Sequence, residues 1–169
     1  MASENVLELF EKVKACFFDV DGVMTDGSIH VTTSGEQHRT FFVKDGLAIV
    51  KAIKAGLPVA IISAGNDEGV RKRLEYLGVE YIFLGVKNKL EKLKELTDKY
   101  NITFDDVLYM GDDLPDLKVL KEVGLPTCPA DAANDIFAHC KYISPKDGGK
   151  GAVRDVLEKV LKVQDKWQV

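Results

Sequence analysis

The chain alternates short apolar runs with amphipathic segments from end to end. The apolar runs predict buried strands at residues 15–20, 58–63, 81–84, 107–110, 125–127 and 141–143. Apolar residues at helical spacing predict helices at residues 46–55, 67–77, 89–100, 114–122, 131–137 and 151–163. Glycine or asparagine follows several of these helical segments, as at Gly56, Gly78 and Asn101, and is typical of helix C-terminal ends. The alternation predicts an α/β fold, a doubly wound parallel (Rossmann-like) sheet with helices on both faces.

One insertion interrupts the alternation directly after the first predicted strand. Residues 28–33 and 37–43 flank Ser34-Gly35-Glu36, a short loop typical of a β-hairpin. Because the insertion follows the carboxyl end of that strand, we expect it to lie over this edge of the sheet as a flap. The 169 residues fit one domain with no large cap domain, and the polar tail 164–169 is expected to be flexible.

Composition narrows the class of protein. A net charge of −4 and a pI near 5.4 argue against nucleic-acid binding, which needs a basic face. No apolar run approaches the roughly 20 residues of a membrane span, and residues 1–14 lack the apolar core of a signal peptide. The unpatterned cysteines fit reduced thiols, so we expect a cytoplasmic protein.

Two aspartates, Asp19 and Asp21, close the first apolar run and are followed at once by Gly22. In open α/β sheets, ligands bind at the carboxyl edge of the strands. Two carboxylates this close repel each other unless a cation or a reaction makes use of them. The pair therefore marks the candidate site.

Later predicted strands add compatible groups at the same edge. They are Ser63 after the second strand, Lys89 at the start of the helix after the third, and Asp112, Asp113 and Asp116 after the fourth. Carboxylates, a hydroxyl and an ammonium together suit phosphoryl transfer to a carboxylate nucleophile with a divalent cation.

The residue types suggest catalytic roles. We expect Asp19 to attack phosphorus and form an aspartyl-phosphate. Asp21, on the same face of an extended strand, would act as general acid and then as general base. Ser63 and Lys89 would donate to the phosphoryl oxygens, with Lys87 competing for the role of Lys89.

A magnesium site is expected beside the nucleophile. Asp19, Asp112 and the backbone carbonyl of Asp21 offer the hard oxygen ligands that Mg²⁺ prefers. Asp113 and Asp116 would support this cluster from outside, although either residue also suits a helix cap.

The residues quoted so far resemble the four motifs of the haloacid dehalogenase superfamily: DVDGVMTDG at 19–27, Ser63, Lys89 and Gly111-Asp112-Asp113. The sequence is more similar still to the capless sugar-acid branch, the 3-deoxy-D-manno-octulosonate 8-phosphate (KDO 8-phosphate) phosphatases. The further segments that support this similarity are the hairpin, KDG at 44–46, NKL at 88–90 and GGKGAVR at 148–154.

The resemblance implies a Mg²⁺-dependent phosphatase that acts on a phosphorylated 3-deoxy-2-ulosonic acid in lipopolysaccharide biosynthesis. It implies substrate contacts from Asp45, Gly46, Ala64, Gly65 and Arg154. It also implies a homotetramer in which neighbouring subunits border each active site.

The segment after the second strand departs from this pattern. Many relatives carry Ser-Gly-Arg or Thr-Gly-Arg there, whereas this chain has Ser63-Ala64-Gly65-Asn66. The missing arginine leaves open which cation binds a substrate carboxylate: Arg71, Lys72 or Arg154. It also leaves open a nine-carbon ulosonate 9-phosphate as substrate.

Other functional classes fit less well. A receiver-type phospho-acceptor domain also uses acidic residues, a hydroxyl and a lysine on an α/β sheet, but a general acid/base at Asp21 would hasten loss of its phosphoryl group. A catalytically inactive regulatory partner would not need every catalytic residue type. In the hairpin, His38 and Arg39 remain candidates for substrate contact.

Overall fold

The computed structural model of the protein describes residues 5–168. Residues 1–4 of the N-terminal segment and Val169 of the predicted tail lie outside the described part. The strands are β1 (Ala15–Phe18), β2 (His30–Val31), β3 (Gln37–His38), β4 (Val59–Ile62), β5 (Tyr81–Phe83), β6 (Val107–Met110), β7 (Leu125–Cys128) and β8 (Tyr142–Ile143).

Six strands form one parallel sheet in the order β5-β4-β1-β6-β7-β8. Chain order runs outward from β1 in one direction through β4 and β5, and then in the other through β6, β7 and β8. The reversal lies between β1 and β6, where an open α/β sheet leaves a crevice at its carboxyl edge.

Helices cover both faces of the sheet, as the sequence predicted. They are α1 (Val6–Lys12), α2 (Val43–Lys54), α3 (Glu68–Tyr76), α4 (Lys89–Tyr100), α5 (Leu117–Leu120), α6 (Asn134–Phe137) and α7 (Ala152–Val163). Apolar side chains of α1, α2, α3 and α7 pack on one face, and those of α4, α5 and α6 on the other. The doubly wound α/β fold is confirmed.

The central strand β1 is apolar throughout because both of its faces are covered. Cys16 and Phe18 belong to one core cluster, and Ala15 and Phe17 belong to the other. All four residues are fully buried. Burying a side chain as large as Phe17 stabilises the fold by about 1.5–3 kcal/mol, and Asp19 follows directly from this buried strand.

Three local predictions need correction. The first strand ends at Phe18, because the chain then turns and the amides of Val23, Met24 and Thr25 all donate to the Val20 carbonyl oxygen. Asp21 therefore lies in this turn, and strand alternation does not place it beside Asp19.

The hairpin is present but shorter than predicted, since only residues 30–31 and 37–38 pair as strands. Its predicted second arm runs to residue 43, whereas Val43 is the first residue of α2. Asp45 and Gly46 consequently lie in the first turn of that helix and not at the end of the hairpin.

The tail is docked over its described residues, whereas the sequence predicts a flexible tail. The Gln164 side-chain amide donates to the carbonyl oxygen of Val13 at 2.7 Å, beyond the end of α1. The Trp167 ring packs beside Lys51 and Arg154, at 5.0 Å and 5.5 Å from ring centroid to cation. These contacts join the tail to α2 and α7.

Within residues 5–168, no helix combines the length and the apolar character that crossing a membrane requires.

Candidate active site

A buried ion cluster lies at the switch between β1 and β6. Lys89 Nζ lies 2.6 Å from Asp19 Oδ2 and 2.7 Å from Asp116 Oδ1. The Lys89 side chain is only 3% exposed, so its charge is balanced by these carboxylates rather than by water. Lys87 is exposed, so Lys89 is the lysine that reaches the cluster.

Asp116 is the most buried member of the cluster. Its Oδ1 also accepts a hydrogen bond from the Tyr109 hydroxyl at 2.6 Å, and its Oδ2 accepts from the Asp112 amide at 3.1 Å. Both oxygens are therefore occupied by donors within the protein. This arrangement makes Asp116 a support for Lys89 and for the loop after β6.

Asp112 faces the turn that follows β1. A Cβ placed on Gly22 would lie 1.9 Å from Asp112 Oδ2, and Gly22 has a φ of +79°. Both the contact and the backbone conformation require glycine there. One carboxylate oxygen from each of Asp19, Asp112 and Asp116 lies within 4.8 Å of the others, so negative charge is concentrated beside the two carboxylates, Asp19 and Asp112, that suit a cation.

The crowded carboxylates hold their protons more tightly than usual. Burial, and then the charge of Asp116, raises the pKa of Asp19 to about 6, although Lys89 opposes this. Burial, followed by the charges of Asp116 and Asp19, raises the pKa of Asp112 to about 7. Burial lowers the pKa of Lys89, but the two carboxylates outweigh it and leave that pKa raised. Added positive charge at this point would relieve the repulsion.

Asp21 is held by an arginine of the hairpin. Arg39 Nε lies 2.7 Å from Asp21 Oδ1, and Arg39 Nη2 lies 3.3 Å from Asp21 Oδ2. Arg39 Nη1 donates to Asp67 Oδ2 at 3.3 Å. The hydrogen bond with Asp21 raises the pKa of Arg39.

Ser63 completes the floor of the site at the end of β4. Ser63 is 2% exposed, and its Oγ accepts a hydrogen bond from the Gly65 amide at 3.3 Å. The cavity above has a volume of about 300 Å³. Its lining is Asp19, Asp21, Gly22, Gly27, Ser63, Ala64, Gly65, Lys89, Asp112, Asp113, Pro115 and Asp116.

Three predicted substrate contacts lie outside this lining. The Asp45 side chain accepts a hydrogen bond from the Arg154 amide at 2.8 Å and so caps the start of α7. Burial raises the pKa of Asp45 to about 6. Gly46 lies beside it in α2, and the Arg154 guanidinium pairs with Glu158. In this chain these residues join α2 to α7, and a substrate role for them stays a prediction.

Comparison with known proteins supplies the family. Residues 82–157 match the family model described as haloacid dehalogenase-like hydrolase. The chain is 36% identical to the 3-deoxy-D-manno-octulosonate 8-phosphate phosphatase KdsC of Escherichia coli over 164 residues, which are 97% of this chain and 87% of that protein. The chain belongs to the haloacid dehalogenase-like hydrolases.

Solved structures of similar hydrolases have the same fold. A crystal structure of the 3-deoxy-D-manno-octulosonate 8-phosphate phosphatase of Yersinia pestis matches with a TM-score of 0.93 and 35% identity, covering 95% of this chain and 87% of that one. The Moraxella catarrhalis phosphatase, in complex with magnesium ion, phosphate ion and KDO, matches with a TM-score of 0.91 and 36% identity, covering 95% and 92%. This hydrolase is therefore a phosphatase of the superfamily without a large cap.

Sequence reasoning missed two features of this hydrolase site. The sequence does not single out Tyr109, because a tyrosine in an apolar strand is typical of the hydrophobic core. A buried tyrosine hydroxyl nevertheless needs a hydrogen-bond partner, and here that partner is Asp116. The sequence suggests Arg39 only for substrate contact, yet its guanidinium pairs with Asp21. Of the cations considered for the missing arginine, Arg71 donates to the Ile82 carbonyl oxygen and Lys72 is exposed.

Proposed function

We propose that this hydrolase removes phosphate from a phosphorylated 3-deoxy-2-ulosonic acid, with KDO 8-phosphate preferred, through an aspartyl-phosphate on Asp19. The observation that carries the proposal is the buried Asp19–Lys89–Asp116 cluster beside Asp112, in a chain 36% identical to KDO 8-phosphate phosphatase over nearly its whole length. A carboxylate at the carboxyl end of the central strand, paired with one buried ammonium, suits attack on a phosphate ester.

In the first half-reaction an Asp19 oxygen attacks phosphorus, and the bond from phosphorus to the sugar oxygen breaks. Asp21 gives its proton to the departing oxygen, so that an alcohol leaves and not an alkoxide. The Ser63 hydroxyl and Lys89 donate to the phosphoryl oxygens, where negative charge must be held during transfer. Lys89 is already fixed for this role by Asp116.

In the second half-reaction water attacks the phosphorus of the aspartyl-phosphate. Asp21, now deprotonated, takes a proton from that water, and the bond between phosphorus and Asp19 breaks. Inorganic phosphate leaves, and both carboxylates return to their starting states. One residue thus serves as acid and then as base.

Asp19, Asp112 and the backbone carbonyl of Asp21 are the groups that would hold Mg²⁺. Their oxygens are hard ligands, and the raised pKa values of Asp19 and Asp112 mark a place where negative charge is in excess. When bound, the cation would supply positive charge against the phosphoryl group. Magnesium accompanies phosphate and KDO in the Moraxella catarrhalis relative.

A panel of phosphate esters, assayed with Mg²⁺ and with EDTA, tests this proposal. We expect the highest kcat/KM for KDO 8-phosphate, lower values for a nine-carbon ulosonate 9-phosphate and for hexose phosphates, and no turnover in EDTA. A higher value for the nine-carbon ester would assign the protein to that sister activity, with Ala64 and Asn66 as the first residues to exchange. Full activity in EDTA would contradict the magnesium requirement.

We also propose that the hydrolase assembles as a homotetramer with neighbours bordering each site. Large apolar side chains are exposed on the hairpin and at the start of α2, where Val31 is 59% and Val43 is 75% exposed. A hairpin with two-residue strands needs packing partners, which neighbouring subunits would provide. Light scattering tests the assembly, and a fully active monomer would contradict it.

A further inference from the structure

Arg39 belongs to the hairpin but reaches into the catalytic edge of the sheet. It follows β3, whose residues are exposed, yet its own side chain is only 8% exposed. The guanidinium is therefore a buried connection between this flap and the site.

The guanidinium holds the Asp21 carboxylate by a fork. Two different nitrogens, Nε and Nη2, face the two oxygens of Asp21 at 2.7 Å and 3.3 Å. Such a paired contact fixes the plane of a carboxylate, which a single hydrogen bond does not do. Because Asp21 lies in a turn and not in a strand, its backbone alone does not set the direction of this side chain.

The other end of Arg39 is anchored to a second element. Its Nη1 donates to Asp67 Oδ2 at 3.3 Å, while Asp67 Oδ1 accepts from the Val70 amide at 2.9 Å and caps α3. A Cβ on Gly65 would lie 3.2 Å from Asp21 Oδ2, so the loop after β4 lies against the Asp21 carboxylate. The guanidinium is thus held from two sides.

From this geometry we infer that Arg39 is a positioning residue, which orients Asp21 for proton transfer. A carboxylate has about four acceptor positions, and the fork occupies two of them. The remaining positions are left for the leaving oxygen and then for water. The inference rests on the proposed phosphatase chemistry and adds to it that the hairpin is part of the catalytic apparatus.

If Arg39 positions Asp21, the rate loss on removing Arg39 should depend on the leaving group of the ester. A poor leaving group such as phenolate needs the proton from Asp21, whereas p-nitrophenolate leaves without much help. A misplaced general acid therefore slows the first turnover of phenyl phosphate far more than that of p-nitrophenyl phosphate. Loss of general folding or of magnesium would slow both esters alike.

The test compares Arg39→Met with the wild type by rapid-quench measurement of the first turnover of both esters with Mg²⁺. We expect a fall of about 10- to 100-fold for phenyl phosphate and less than about threefold for p-nitrophenyl phosphate. Lys14→Met is the matched control, since it removes an exposed cation paired with Asp106 at 3.0 Å, near the opposite edge of the sheet. It should change neither rate.

A double-mutant cycle shows whether Arg39 acts through Asp21. If it does, adding Arg39→Met to Asp21→Asn should cost almost nothing further. Equal losses on both esters, or additive losses in the double variant, would overturn the inference. Should Arg39→Met fail to fold, Arg39→Lys keeps the charge without the fork, and an unchanged ratio of the two rates in that variant would also overturn it.

These ester assays need no sugar acid. If the wild type hydrolyses both aryl phosphates but rejects every ulosonate phosphate, the proposed substrate is wrong while the role of Arg39 is still decided by the ratio of rates.

Discussion

Without a divalent cation, the protein should lose stability as the pH rises from about 4 to about 8. The pKa of Asp19 is raised to about 6 and that of Asp112 to about 7, both from an ordinary value of 3.8. The folded state therefore binds protons that the unfolded state has already released. For a raised pKa, the stabilisation is complete below the unfolded value and is lost as the pH passes through the folded value.

The expected loss is a sizeable part of the stability of a small domain. Displacement of the Asp19 pKa from 3.8 to about 6 corresponds to about 3 kcal/mol in the free energy of unfolding. Asp112 is only half-buried and is coupled to Asp19, so screening reduces its share and the two do not simply add. We expect Asp19 and Asp112 together to contribute a fall of about 3–5 kcal/mol in EDTA, against a total stability of roughly 5–15 kcal/mol for a typical domain.

Urea unfolding followed by far-ultraviolet circular dichroism, at several pH values with EDTA or with Mg²⁺, measures this effect. Mg²⁺ binds the deprotonated carboxylates of the folded state, so it should stabilise the protein more at pH 8 than at pH 5.

Asp45→Asn is the control, because the pKa of Asp45 is also raised to about 6 at a position outside the candidate metal cluster. It should reduce the pH dependence but leave the magnesium effect. Stability that rises with pH in EDTA, or a magnesium effect equal at both pH values, would refute the reasoning.

Three further predictions concern single elements. Asp19→Asn should abolish turnover, and Asp21→Asn should lower kcat about 10²–10⁴-fold. Both effects are measured as phosphate release, with thermal melting as a check on folding. Near-normal turnover of Asp19→Asn would show that Asp19 is not the nucleophile. Lys89→Met leaves buried carboxylates without a counter-charge and should lower the free energy of unfolding by about 3–5 kcal/mol at pH 8. The loss should be smaller at pH 5, where the Asp19 carboxyl is mostly protonated. Equal losses at the two pH values would contradict this prediction. Ending the chain at Lys162 removes the Gln164 and Trp167 contacts and should lower the melting temperature, and an unchanged value would show that tail docking adds no stability.

The fold and much of the site follow from patterns within single segments. Asp19 and Ser63 each come directly after the carboxyl end of an apolar strand, Lys89 opens the helix that follows another, and parallel strands bring those ends together. Asp112 follows the same rule after β6. The rule places side chains at one edge, and the structure brings all four into the lining of one cavity.

The remaining features depend on contacts between distant segments, which no local pattern encodes. Arg39 and Asp21 are 18 positions apart, and their pairing depends on where the hairpin folds back. Asp45 reads as a loop residue beside glycine, but its partner is the start of α7, 109 positions later. The polar residues at the C-terminal end suggested a flexible tail because their partners, near Val13 and on α2, are invisible in the tail itself.

The docked tail also gives the protein an internal optical reporter. Trp167 is the single tryptophan of the chain, and it lies beside Lys51 and Arg154 on the α2–α7 side. Tryptophan fluorescence therefore comes from one place, and nearby cations make it sensitive to departure of the tail. Comparing its unfolding midpoint with that from circular dichroism separates release of the tail from loss of the sheet. Coincident midpoints would mean that the last residues melt as one cooperative unit with the domain.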